Sequence, residues 1–88
     1  DVETPGRGDS DVVAVHTDGE HASVCLLPYR AGRLVDKREF HFEGVGHVDP
    51  AELVSSFLPQ YYEANPAIPP QIDTAQALEG EEAELLAA

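Results

Sequence analysis

Two tight turns constrain the front half of this chain more than any other feature. Asp18-Gly19 and Ala31-Gly32 each interrupt an apolar run, and glycine supplies the positive φ that short hairpin connections need. Before the first turn lies Val12-Val13-Ala14-Val15, a short β-branched run of the kind found in strands buried on both faces. Between the turns, Ala22 to Arg30 reads as a second strand through Val24, Cys25, Leu26, Leu27 and Tyr29. Pro28 has no N–H to give a neighbouring strand, so it belongs at an edge position or a bulge. After the second turn, Leu34 to Phe42 alternates less cleanly, with Phe40 and Phe42 on one face by the two-residue period. Strands joined by turns this short pair antiparallel, so the three form a meander.

Gly44 and Gly46 end that pattern, and a helix start follows at Asp49-Pro50-Ala51-Glu52. Asp49 can cap, Pro50 suits the first helical position, and Glu52 stands three residues after the cap. Leu53, Phe57 and Tyr61 recur every four residues, with Val54 and Leu58 widening the stripe that should pack on the meander. Pro59 removes one backbone bond, which predicts a kink or restart near Leu58. Asn65-Pro66 and Pro69-Pro70 read as an extended loop, Gln71-Ile72-Asp73-Thr74 as a short fourth strand, and Glu79 to Ala88 as a helix by propensity. The order β-β-β-α-β-α is that of the first half of a ribonuclease-H-like α/β fold. Residues 1–10 read as a flexible leader and 11–88 as one α/β domain. A first residue that is not Met and a helical last segment suggest a fragment of a larger protein.

Five Lys+Arg stand against 17 Asp+Glu, a formal net charge of −12. Such a surface repels phosphates and argues against a free-standing nucleic-acid binder. The acids are spread along the chain and Lys37 is the one lysine, a pattern that fits a surface adapted to a high-salt cytoplasm; an acidic partner-binding face is the competing account. No apolar run is long enough to span a bilayer, and no basic-then-apolar leader precedes the first strand. Cys25 is alone, which excludes an internal disulfide and points to a reducing, cytoplasmic setting.

Candidate chemistry is sparse. Asp18, Glu52 and Asp73 can be drawn as a Mg²⁺-binding carboxylate set for a nuclease, because Mg²⁺ takes oxygen ligands and two-metal chemistry needs several of them. Each also has a structural account: Asp18 belongs to a turn, Glu52 completes a capping box, and in so acidic a chain some acid falls near any chosen place. His16, His21, His41 and His47 lack zinc-ligand spacing, and Cys25 reads as a small core residue. Gly44-Val45-Gly46 lacks the features of a phosphate loop, and Arg7-Gly8-Asp9 matches an adhesion tripeptide by chance. No catalytic and no metal-binding residue is therefore assigned. Arg30, Arg33, Lys37 and Arg38 are four of the five cations and share one hairpin. They are the candidate contacts to phosphate or to an acidic partner. Cross-strand pairing with Asp36 and Glu39 is the structural alternative.

Four stretches together resemble the UvrC family, the component of the excinuclease ABC system that incises DNA in nucleotide excision repair. They are Asp11 to Val15, Asp18 to Cys25, Tyr29 to Val35, and the helix end Phe57-Leu58-Pro59-Gln60-Tyr61-Tyr62. Ile68-Pro69-Pro70-Gln71-Ile72 adds a Pro-rich lead into a strand. The likeness covers about residues 11–72 well and 73–88 loosely. It implies a segment between the module that binds the helicase UvrB and the C-terminal incision nuclease. No position matches the family's catalytic motif, so the resemblance implies a non-catalytic structural and interaction domain, without a cofactor of its own. The Mg²⁺-dependent incision of damaged DNA, and contact with UvrB, would belong to the parent protein. The fragment itself would be monomeric, with other domains of the same chain as partners. A Mg²⁺ nuclease on Asp18, Glu52 and Asp73, and a free-standing acidic binding module, are the alternatives.

If the acidity is salt adaptation, the urea midpoint of unfolding rises between low and multimolar KCl, because screening relieves like-charge repulsion; a midpoint that stays flat or falls removes that account.

Overall fold

The computed structural model describes residues 8–77. The helix expected over 79–88 lies outside the described residues. In chain order the elements are β1 (Ser10–Asp18), β2 (His21–Arg30), β3 (Arg33–Leu34), β4 (Arg38–Glu43), α1 (Pro50–Ala64) and β5 (Gln71–Ala77). β1 and β2 pair antiparallel along their whole length, from Ser10 opposite Tyr29 to Asp18 opposite His21. β5 adds in parallel to the other side of β1, with Ser10 opposite Gln71 and an irregularity between Ala14 and Val15. This is the mixed α/β sheet expected of a ribonuclease-H-like half, and its fourth expected strand is longer than the sequence suggested.

β1 begins at Ser10, inside the segment expected to be a flexible leader. Gly8 and Asp9 are also tied down: the Gly32 N–H donates to the Gly8 carbonyl at 2.8 Å, and the Ala31 N–H donates to Asp9 Oδ1 at 3.0 Å. The anchor is the Ala31-Gly32 turn itself, where both residues have positive φ, 55° and 76°. That pair of angles matches the twist of the flanking strands, and it leaves the turn's N–H groups pointing outward for the incoming chain.

The expected third strand, Leu34 to Phe42, is two strands. β2 gives residues 21–26 to β4 and residues 29–30 to β3. Pro28 stands at the changeover. Its carbonyl accepts from the Val35 N–H at 3.0 Å. A strand residue aims its C=O and its N–H at the same neighbour. The missing N–H of Pro28 would therefore face the same partner, and there the chain leaves the ladder at Val35, Asp36 and Lys37. The proline lies near the end of β2, a strand paired on both sides, and is fully buried, and the irregularity it demands falls on its neighbour.

One face of the sheet carries the main core. Val13 and Val15 of β1, and Ala22, Val24 and Leu26 of β2, pack against Leu53, Val54, Phe57 and Tyr61 of α1. Phe40 and Phe42 join this face at its edge. Phe57 sits between them and Tyr61, with ring centroids 4.9 Å from Phe40, 6.4 Å from Phe42 and 5.6 Å from Tyr61. Cys25, Leu27 and Tyr29 are buried on the opposite face with Val12 against them, so the β-branched start is covered on both sides as its composition implied. Asp49 caps α1 through its side chain, which accepts from the Ala51 N–H at 2.8 Å, while Glu52 accepts from the Asp49 N–H at 3.3 Å. The helix runs through Pro59 as one element, without the expected restart. Leu53, Val54, Phe57 and Tyr61 hold both halves to the same sheet, which offsets the bond that proline removes.

Phe57→Ala should cost about 3–4 kcal/mol in a urea melt, the range for emptying an aromatic site in a packed core. Ala31→Gly should act in the opposite sense, gaining up to about 1 kcal/mol by relieving a non-glycine residue held at positive φ.

Candidate functional site

The polar chemistry of the described residues gathers at one end of α1. Asp11 lies on the helix-facing side of β1, in step with Val13 and Val15, and its side chain is 2% exposed. A carboxylate so buried needs partners for both oxygens. Oδ1 accepts from Arg30 Nη1 at 3.0 Å, and Oδ2 accepts from the Tyr62 hydroxyl. The same Arg30 Nη1 also donates to the carbonyls of Ser10, at 3.2 Å, and Tyr29, at 2.7 Å. One guanidinium nitrogen thus closes the ends of β1 and β2, and Tyr62 fastens the last turn of α1 to the same carboxylate. Burial, and then the bond to Asp11, push the Tyr62 hydroxyl well above the usual tyrosine range.

Arg38 opens β4 opposite Leu26, on the same helix-facing side. Its Nε donates to Asp36 Oδ2 at 3.0 Å, and its Nη1 donates to the Tyr61 hydroxyl. The Arg38 side chain, and then the Lys37 N–H, hold the Asp36 carboxyl below the usual carboxylate range, and Asp36 with Tyr61 raises the Arg38 guanidinium in turn. Between the two arginines is a cleft of about 320 Å³, walled by Asp11, Tyr61 and Tyr62 and closed by Asn65, Pro66 and Ala67 from the chain after α1. The Asn65 amide is fixed by donating to the Tyr61 carbonyl at 2.9 Å. A neighbouring groove, lined by Phe40, Phe42, Leu53 and Phe57, shares Tyr61 and Asn65 with it.

The structure splits the four cations of the hairpin. Arg30 and Arg38 face the cleft. Lys37 pairs with Glu39 at 3.5 Å, and Arg33 stands opposite Arg30 at the exposed hairpin end. Two of the four therefore make the cross-strand or local pairs, with Asp36 and Glu39, that were the structural alternative. The carboxylates Asp18, Glu52 and Asp73 do not come together. Asp18 ends β1 at the Gly19 turn, whereas Asp73 lies opposite Val12 near its start. Six residue steps along β1 separate Asp18 from Val12, roughly 20 Å at the usual rise. Glu52 is occupied in the cap, and both Asp73 oxygens accept from Gln71 Nε2, at 2.9 and 3.0 Å. Among the described residues no three His, Cys, Asp or Glu side chains are grouped to hold a metal ion. His41 Nδ1 pairs with Ser23 Oγ at 3.0 Å, and burial raises the Cys25 thiol, which makes it a poor nucleophile.

Asp11, Tyr61 and Tyr62 are not among the candidates that sequence pattern offers. The available signal is phase: Asp11 shares the two-residue period of Val13 and Val15, so its carboxylate points into the core.

The chain is similar to known proteins over most of its length. The model of the UvrC ribonuclease H-like domain matches residues 9–88. The UvrABC system protein C of Desulforudis audaxviator is 37% identical over 84 residues, which are 96% of this chain and 14% of that protein. That of Protochlamydia amoebophila is 39% identical over 71 residues, 81% of this chain and 12% of that protein. The chain therefore spans about one seventh or less of the length of these relatives. No solved structure gives a significant match.

Asp11→Asn should destabilise the fold by about 2–3 kcal/mol, less than a fully buried pair because Arg30 is partly exposed. In a double-mutant cycle Tyr62→Phe should couple to it by about 1 kcal/mol. Because the folded state holds the Tyr62 proton more tightly than the unfolded chain does, this contribution is complete below pH 10 and is lost as pH rises further. Urea melts across that range should fall less steeply in Tyr62→Phe.

Proposed function

The chain belongs to the UvrC ribonuclease H-like domain family, and from that premise we propose that it is a non-catalytic structural and interaction module of a damage-incising excinuclease. In this reading it positions the incision nuclease of the parent protein. Its partners are other domains of the same chain and, through the parent protein, UvrB and damaged DNA. The observation that carries the reading is the placement of Asp18 and Asp73 at opposite ends of β1, with Glu52 committed to the helix cap. Mg²⁺ chemistry needs carboxylates that converge. The residues present do not fit that ion, so Mg²⁺ would serve the parent nuclease elsewhere. The Arg30–Arg38 end offers the contact surface instead, since guanidinium groups there are fixed in place and partly exposed. The spread acidity accords with a cytoplasm of high salt, in which a net charge of −12 is screened.

The full-length protein carrying Asp18→Asn, Glu52→Gln and Asp73→Asn should incise a damaged duplex within roughly a factor of two of the unmodified protein, as expected when none of the three touches the reacting phosphate. Loss of incision by this folded triple variant would restore the nuclease reading.

A further inference from the structure

We propose that the cleft between Arg30 and Arg38 is a carboxylate subsite that receives a single Asp or Glu side chain from an otherwise apolar segment of a partner protein; the inference rests on the reading of this domain as an interaction module. Three features carry it. First, both guanidiniums are held in place before any ligand arrives. Arg30 bonds Asp11 and two strand-end carbonyls through Nη1 alone, and Arg38 bonds Asp36 and Tyr61 through Nε and Nη1. An arginine carries five N–H donors, so each keeps unspent donors, and an anchored fork loses little entropy when it binds. Second, the walls leave a volume of about 320 Å³, enough for one acidic side chain and its neighbouring backbone. Asp11 presents no open oxygen face, since Arg30 and Tyr62 hold its two oxygens. Third, the local charge balances: Arg30 and Arg38 stand against Asp11 and Asp36.

That balance selects the kind of anion. A single carboxylate brings one charge to a neutral quartet and accepts from the unspent donors of Arg38, with Arg30 beside it. A duplex brings a negative charge about every 1.7 Å and must pass a surface at −12 that repels it. The aromatic groove beside the cleft, with Phe40, Phe42 and Phe57, gives the flanking apolar residues of such a segment a place to lie.

The test uses the full-length protein and three fluorescein-labelled probes at one fixed salt concentration. They are a peptide with a single Glu among apolar residues, the same peptide with Gln, and a short duplex. The Glu peptide should bind about tenfold more tightly than the Gln peptide, a difference of one charge-assisted bond. Arg38→Gln should remove that difference, Arg38→Lys should restore part of it, and Ser55→Ala on the exposed side of α1 should leave it intact. Equal binding of the Glu and Gln peptides overturns the proposal. So does an Arg38→Gln effect seen on the duplex alone, which would assign the cleft to phosphate. Damage incision is measured on the same variants. Incision lost in Arg38→Gln with peptide binding unchanged defeats the carboxylate subsite and leaves the interaction module standing.

Discussion

The rest of the molecule depends on one buried carboxylate. Asp11 sits where a strand enters the core, and an ionised group there costs several kcal/mol unless it is fully paired. Its two partners come from distant places, Arg30 at the far end of the first hairpin and Tyr62 at the end of α1. Satisfying Asp11 therefore fixes three things together: the register of β1 on β2, the position of the last helical turn on the sheet, and the entry of the chain at Ser10. Apolar packing alone would tolerate a helix shifted along the sheet, because a stripe of Leu, Val and Phe slides at modest cost. A carboxylate with two required donors does not. The Phe57 cluster buries the helix stripe against the sheet, and the Asp11 clamp supplies its alignment.

The legible part of this fold is the part written locally. Glycine at Asp18-Gly19 and Ala31-Gly32 specifies both hairpins because a positive φ is a property of one or two residues. The capping box announces α1 within four residues, and the four-residue recurrence of Leu53, Phe57 and Tyr61 names its buried face. Pro28 signals a strand irregularity, but its consequence falls on Val35–Lys37, because the lost hydrogen bond belongs to the partner as much as to the proline. The clamp is not legible. Asp11 and Arg30 are 19 residues apart and Asp11 and Tyr62 are 51 apart, and a charged residue at a strand start looks like any other surface acid until its phase is compared with Val13 and Val15. Among the four hairpin cations, sequence shows that they cluster but not which of them turn toward α1. That division follows strand parity once β4 pairs with β2: Arg38 shares a face with Phe40 and Phe42, whereas Lys37 lies in the break opposite Pro28.

The pairings of these cations also decide what the net charge means for binding. A chain at −12 with free arginines would present one attractive point on a repulsive surface, and any polyanion would be drawn to it and then opposed by everything around it. Here Asp36 holds Arg38, Asp11 holds Arg30 and Glu39 holds Lys37, so the hairpin end is close to neutral. Long-range attraction is thereby reduced, while the directional donors of the guanidiniums remain. Recognition at such a site rests on shape and hydrogen-bond geometry, which survive salt, rather than on steering, which salt removes within a Debye length of about 3 Å at molar concentration. If the spread acidity is salt adaptation, contacts of that kind are the ones such a surface keeps, and the anchored arginines beside Tyr61 and Tyr62 have the geometry for them.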